Sequence, residues 1–124
     1  MLEEMMLEKK VWAVVGANTD PEKYGNMIYR KLKSRGYTVY PVNPLYDTVD
    51  GDKCYKDLSS LPQVPDVIDM VVSPKRGKHV IEEAAKLGIK NVWLQPGTYD
   101  DELLEMIEKN NMTGVKACVL VALR

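Results

Sequence analysis

The chain has 124 residues, 45% of them hydrophobic and 28% charged, which suits one globular core and leaves too little for two. Its 17 Lys and Arg offset 18 Asp and Glu to a net charge of -1, so no overall field draws nucleic acid or an anionic membrane, and an anionic ligand must be held locally. The longest apolar runs, such as Val119–Leu123, fall far short of the roughly 20 residues that a membrane-spanning helix needs.

Met1 to Lys10 mixes Met and Leu with Glu and Lys and lacks the continuous apolar segment of a secretory signal. It is expected to be an N-terminal extension to a single cytoplasmic domain over residues 11–124. Val11–Val15 is a short, mostly β-branched run stopped by Gly16, as in a strand buried on both faces of a parallel sheet. From Gly25 to Arg35, Met27, Ile28 and Leu32 fall at helical spacing opposite Arg30, Lys31 and Lys33, and Gly36 closes the helix. Tyr37–Val42 reads as the second strand. Asn43–Pro65, with Pro44, Gly51, Pro62 and Pro65, is too broken for a long helix, although Leu58–Leu61 fits a single helical turn. There follow a strand over Asp66–Val72, a helix over Pro74–Leu87 stopped by Gly88, and a strand over Asn91–Gln95 broken by Pro96-Gly97. Asp100–Asn110 reads as a helix with Leu103, Leu104 and Ile107 inward, and Val115–Leu123 as the last strand.

Strands alternating with helices predict a doubly wound, Rossmann-like three-layer α/β/α domain, its five parallel strands in the order 3-2-1-4-5. In such a sheet the ligand crevice lies beyond the carboxyl ends of the strands, where the strand order reverses. The loops that reach it are Gly16–Gly25, Val42–Pro44, Ser73–Arg76 and Gln95–Gly97.

Gly16 and Ala17 let backbone approach a ligand closely, and amides at the following helix start can donate to a pyrophosphate; a tight turn after a buried strand needs a glycine in any case. Lys23 adds a positive charge to that loop, which by itself says little. The turn is not the dinucleotide fingerprint, because Asn18 and Pro21 interrupt it. Nor does the second strand end in the carboxylate that NAD ribose hydroxyls want, since Val42-Asn43-Pro44 stands there. A P-loop is absent, and Gly16 and Ser73 stand where a phosphoacceptor receiver would carry acids. His79, the single histidine, falls inside a helix and is assigned no role. Cys118 is expected to be an inert residue of the last strand; Cys54, flanked by lysines, is the candidate for the more reactive thiol of the two, although a tolerated half-buried residue is the preferred reading. The two cysteines lie far apart and form no C-x-x-C pair, which argues against zinc or a disulfide framework. Asp66 and Asp69 read as polar groups at a sheet edge. No nucleophile, base and orienting group come together.

Taken in order, several segments resemble the CoA-binding protein family, which is similar to the domain that opens the succinyl-CoA synthetase alpha subunit. They are Val14-Val15-Gly16-Ala17-Asn18, Asp20-Pro21-Glu22-Lys23-Tyr24-Gly25-Asn26, Gly36-Tyr37, Tyr40-Pro41-Val42-Asn43-Pro44, Gly51-Asp52-Lys53-Cys54-Tyr55, Leu58 to Pro62, Asp66-Val67-Ile68-Asp69 and Val92-Trp93-Leu94-Gln95-Pro96-Gly97. The resemblance implies a Rossmann-like domain that holds coenzyme A. By resemblance, Gly16, Ala17, Asn18, Lys23, Tyr24, Gly25 and Asn26 would hold the phosphates, and Val42, Asn43 and Pro44 would flank the adenine end. Pro74 and Lys75, with Gln95, Pro96 and Gly97, would line the rest. The chain departs from the family at Asn18, where Ser is frequent, at Ser73-Pro74, where two prolines are frequent, and at Lys116-Ala117, where an Asp precedes the cysteine. The phosphorylated histidine of the synthetase lies in a following domain, and this chain ends at Arg124. The expected function is a small non-catalytic carrier, sensor or accessory subunit for CoA or acyl-CoA. The alternatives are a ligase or transferase subunit completed in trans, or an NAD(H)-binding module. A second copy of the chain or an acyl-CoA enzyme is the expected macromolecular partner, with neither nucleic acid nor membrane.

Overall fold

A computed structural model describes residues 2–124. Five parallel strands form one sheet: β1 (Val11–Val15), β2 (Thr38–Val42), β5 (Val67–Met70), β6 (Asn91–Leu94) and β7 (Thr113–Lys116). On one face lie α3 (Pro74–Lys86), α4 (Asp101–Lys109) and a one-turn 3-10 helix over Leu58–Ser60. On the other lie α1 (Leu2–Leu7), α2 (Tyr24–Ser34) and α5 (Val119–Ala122). This is the expected three-layer α/β/α architecture. No helix among the described residues is long and apolar enough to cross a membrane.

Each helix buries one stripe. Ile28, Tyr29 and Leu32 of α2 pack with Trp12, Val14, Val67 and Trp93, while Ile81 and Ala84 of α3 and Leu103 and Ile107 of α4 pack with Ala13, Ile68, Met70 and Leu94. The alternation of strand residues between the two clusters is the period-two signature of a sheet covered on both faces. The N-terminal extension is tied down, since Met6 of α1 is fully buried and the Tyr37 hydroxyl donates to the Leu7 carbonyl.

The strand order is β2-β1-β5-β6-β7, or 2-1-3-4-5 in chain order, which corrects the expected 3-2-1-4-5. The physical reason lies in Pro41. Thr38 N donates to Lys10 O and Val42 O accepts from Gly16 N, so the even-numbered residues of β2 face β1, and Pro41, which has no N–H, faces away. A third strand there would lose a ladder bond, so β2 is an edge; Tyr55 covers it locally, donating to Pro41 O at 2.9 Å. The third strand pairs instead with the open side of β1.

Two more segments differ from expectation. Val115–Leu123 is not one strand, because β7 ends at Lys116 opposite Leu94, where its partner β6 ends, and residues 119–122 coil into α5. An apolar run this short carries no periodicity that separates strand from helix. Within Asn43–Pro65, β3 (Thr48–Val49) and β4 (Asp52–Lys53) form a hairpin turned by Asp50 (φ 52°) and Gly51 (φ 80°), the positive-φ pair that an Asp-Gly turn supplies. Lys33 reaches over to Asp52 at 2.7 Å and Tyr29 donates to the same carboxylate at 2.6 Å, which latches the hairpin to α2.

Candidate functional site

The strand order reverses between β1 and β5, and there the ends of both strands meet. Val71 N donates to Val15 O at 2.8 Å, and a Cβ on Gly16 would lie 2.9 Å from the Val71 carbonyl carbon and oxygen. Gly16 also has φ +102°, so no other residue fits without strain. The start of α2 packs on this turn: a Cβ on Gly25 would sit 2.1 Å from Gly16 O. Both glycines are thus demanded by packing as well as by access.

Two cavities open on either side of this ridge and share Gly16 and Val72 as walls. The first, about 380 Å³, is lined by Val42, Asn43, Pro44, Lys56, Leu58, Arg76 and His79, among others. The second, about 440 Å³, is lined by Asn18, Lys23, Tyr24, Gly25, Gln95, Pro96, Gly97 and Cys118, among others. The structure therefore brings together eleven of the site residues anticipated from sequence: Gly16, Asn18, Lys23, Tyr24, Gly25, Val42, Asn43, Pro44, Gln95, Pro96 and Gly97.

Four others fall outside these cavity walls. Ala17 is buried and its carbonyl accepts from Asn43 Nδ2 at 2.9 Å. Asn26 is buried, donates to Asn18 O at 2.9 Å and accepts from Arg30 Nε at 2.6 Å, so its amide braces the turn. Pro74 and Lys75 open α3 but do not line either cavity. Asn43 lines the first cavity, yet both ends of its side chain are used internally, Nδ2 on Ala17 and Oδ1 on Leu45 N. It is a bracket between the β1 and β2 loops.

The walls also include charged or titratable residues not assigned to the site from sequence. Arg76 and His79 lie on successive turns of α3 and reach the first cavity, where Lys56 joins them. Their signal was helical spacing from the loop residue Ser73, which places 76 and 79 or 80 on one face. Cys118 is no inert strand residue; it is half-buried at the start of α5 and lines the second cavity. Cys54 is the buried thiol, 3.6 Å from Asn43 O, and burial pushes its pKa up, which does not suit a reactive thiol.

Cations and acids share the first cavity, Lys56 and Arg76 beside Asp57 and Glu83. Asp57 caps the 3-10 helix at Ser60 N, and Glu83 accepts from Leu58 N, Ser59 N and Ser59 Oγ, so both acids beside the first cavity are engaged. Among the described residues, Lys23, Lys56 and Arg76 make no side-chain hydrogen bond or ion pair. Lys23 stands at the N-cap of α2 and Arg76 in the first turn of α3; neither helix has a side-chain cap or an acid in its first turn. Cations at helix N-termini oppose the helix dipole, at a cost of about 0.3–1 kcal/mol each, and an anion between them reverses that sign.

Comparison with known proteins agrees with this geometry. The model of the CoA binding domain matches residues 10–124. The alpha subunit of ADP-forming acetate–CoA ligase II from Pyrococcus furiosus is 38% identical over 81 residues, which are 64% of this chain and 18% of that subunit. This chain thus spans about a fifth of the length of that curated relative. The protein YneT of Bacillus subtilis is 25% identical over 98% of this chain and 90% of its own. A solved structure of a hypothetical protein from Pyrococcus horikoshii OT3 superposes with a TM-score of 0.91 at 36% identity, covering 97% of this chain and 85% of that one. On its sheet, its paired cavities and a match over nearly its whole length, the chain belongs to the CoA-binding domain family.

Proposed function

We propose that this protein binds coenzyme A across the β1–β5 ridge and performs no chemistry of its own, serving as a carrier, sensor or accessory subunit. The observation that carries this is the pair of cavities joined at Gly16 and Val72, flanked by the uncapped, basic N-termini of two helices. A ligand with an anionic middle and two unlike ends suits that shape. The adenosine end with its 3′-phosphate occupies the first cavity, among Val42, Pro44, Lys56 and Arg76. The pyrophosphate lies over Gly16 at the start of α2, beside Lys23, and the pantetheine arm runs into the second cavity along Gln95–Gly97 to Cys118.

Calorimetric titration with CoA, 3′-dephospho-CoA and NAD at one salt concentration tests this. CoA is expected to bind tightest; NAD binding with no response to CoA would defeat the reading. Lys23→Ala is expected to weaken CoA and dephospho-CoA alike, by about 1.5–3 kcal/mol for a charge-assisted contact, with a smaller loss at high salt. Arg76→Ala is expected to narrow the preference for CoA over dephospho-CoA, because it faces the 3′-phosphate. If Arg76→Ala weakens both ligands equally, the adenosine end lies elsewhere.

The similarity to a ligase alpha subunit favours a second reading, a subunit that completes an acyl-CoA ligase in trans. It predicts turnover only when a partner carrying the phosphorylated histidine is added, and inactivity over a full partner titration counts against it.

A further inference from the structure

Asp69 lies at the centre of the sheet, on β5 between Val14 of β1 and Trp93 of β6, and is fully buried. Side chains alternate along a strand, so it faces the layer of Val67, Val14 and Trp93, the side covered by α2 and α5. This corrects its expected place at a sheet edge. One carboxyl oxygen, Oδ1, accepts from Gln95 Nε2 at 2.7 Å, and the other, Oδ2, has no partner among the described residues. The opposite end of the Gln95 amide, Oε1, accepts from Val119 N, the first residue of α5, at 3.3 Å.

A carboxyl group buried in this layer is costly, and burial pushes its pKa up to about 7. A well-packed apolar residue would cost less there. What the carboxyl offers in exchange, in the ionised form it takes above about pH 7, is that it accepts and never donates, so its hold on the amide belongs to that range. An amide beside it must present Nε2, which leaves Oε1 directed at Val119.

We propose that Asp69 is a positioning residue for the second cavity: it fixes the orientation of the Gln95 amide, which holds the start of α5 and so places Cys118 as a wall. Gln95 and Cys118 both line that cavity. The preceding residue is tied to β6, through Ala117 N to Leu94 O at 3.1 Å and Trp93 Nε1 to Ala117 O at 3.0 Å. The Gln95 bond supplies the tie on the α5 side of Cys118. As a statement about ligand this rests on the coenzyme A reading, with the pantetheine arm in that cavity; Asp69 then acts on the arm and leaves the nucleotide end alone.

Asp69→Asn keeps the shape but offers a donor as well as an acceptor, so the Gln95 amide is no longer forced one way. Hydrogen exchange at the Val119 amide is expected to accelerate about tenfold, as for one lost hydrogen bond. Affinity for CoA is expected to fall about tenfold, while adenosine 3′,5′-bisphosphate, which lacks the arm, keeps its affinity. Gln95→Met removes the same tie and is expected to give the same exchange result if the first variant does not fold. Unchanged Val119 exchange in the folded variants overturns the proposal, and so does an equal loss for CoA and the bisphosphate. If the unmodified protein binds neither ligand, the coenzyme A reading fails, and Val119 exchange still decides the role of Asp69.

Discussion

Gly25→Ala is expected to destabilise the protein by about 3 kcal/mol or more and to abolish ligand binding, although Ala is normally the better helix residue by about 1 kcal/mol. Gly25 lies in the first turn of α2, where its Cβ would be 2.1 Å from the carbonyl oxygen of Gly16. That neighbour is backbone, and it cannot swing aside. It is also pinned, because Gly16 N donates to Val42 O and the residue packs against the Val71 carbonyl. Relief therefore requires the helix start to lift from the sheet, which separates the walls of the second cavity. Gly36→Ala provides the contrast: φ is +86° with no atom within 4 Å, so only backbone strain of about 1–2 kcal/mol is expected and binding is retained. Urea midpoints of the two variants measure the difference. A Gly25→Ala protein as stable as the parent would show that α2 does not need this contact.

The same glycines illustrate what was legible in the sequence. Gly16 and Gly25 were readable as a strand-to-helix turn near a phosphate, because a buried β-branched run followed by small residues has few other meanings. Their direct contact with each other was not, since it depends on how α2 lands. The helices with a clear apolar stripe, α2, α3 and α4, lie within a residue or two of their expected bounds. The strand order was missed although Pro41 already marked β2 as an edge. Asp69 was read as an edge group because it and Asp66 bracket the start of an apolar strand; with that strand between β1 and β6, the carboxyl is buried. The Asp50-Gly51 hairpin was equally visible as a dipeptide, but the prolines around it drew the whole stretch into a linker. Arg76 was reached as the end of the Ser73–Arg76 loop and His79 was assigned no role, because their place on one face of α3 was not used; α3 and the hairpin's exit bring them and Lys56 to the first cavity. For Cys118 no local signal existed: its place depends on the end of β6, three elements upstream of α5.

The buried carboxyl also sets a dependence of stability on pH. Asp69 rises from an ordinary 3.8 to about 7 in the folded protein, first because burial disfavours the charged form and only partly offset by the Gln95 hydrogen bond. Between those two values the folded state holds a proton that the unfolded chain has released. Stability from this group is therefore full below about pH 4, falls as pH rises toward 7, and is lost above it. Roughly three pH units at about 1.4 kcal/mol each give a change of about 4 kcal/mol. The groups facing Asp69 do not blunt this. Val14 and Trp93 flank it, and the layer it lies in holds two titratable groups: Tyr29, whose hydroxyl is turned to Asp52, and the thiol of Cys54, whose pKa burial pushes up. Asp69→Asn removes the titration while leaving every other group in place. The stability difference between variant and parent is expected to move by about 4 kcal/mol in favour of Asn between pH 4 and pH 8, whatever constant offset the amide adds. Chemical denaturation of both proteins across that range measures it. A difference that stays flat with pH would mean that the Asp69 carboxyl is ionised throughout, and that its charge has a partner in the folded protein other than Gln95.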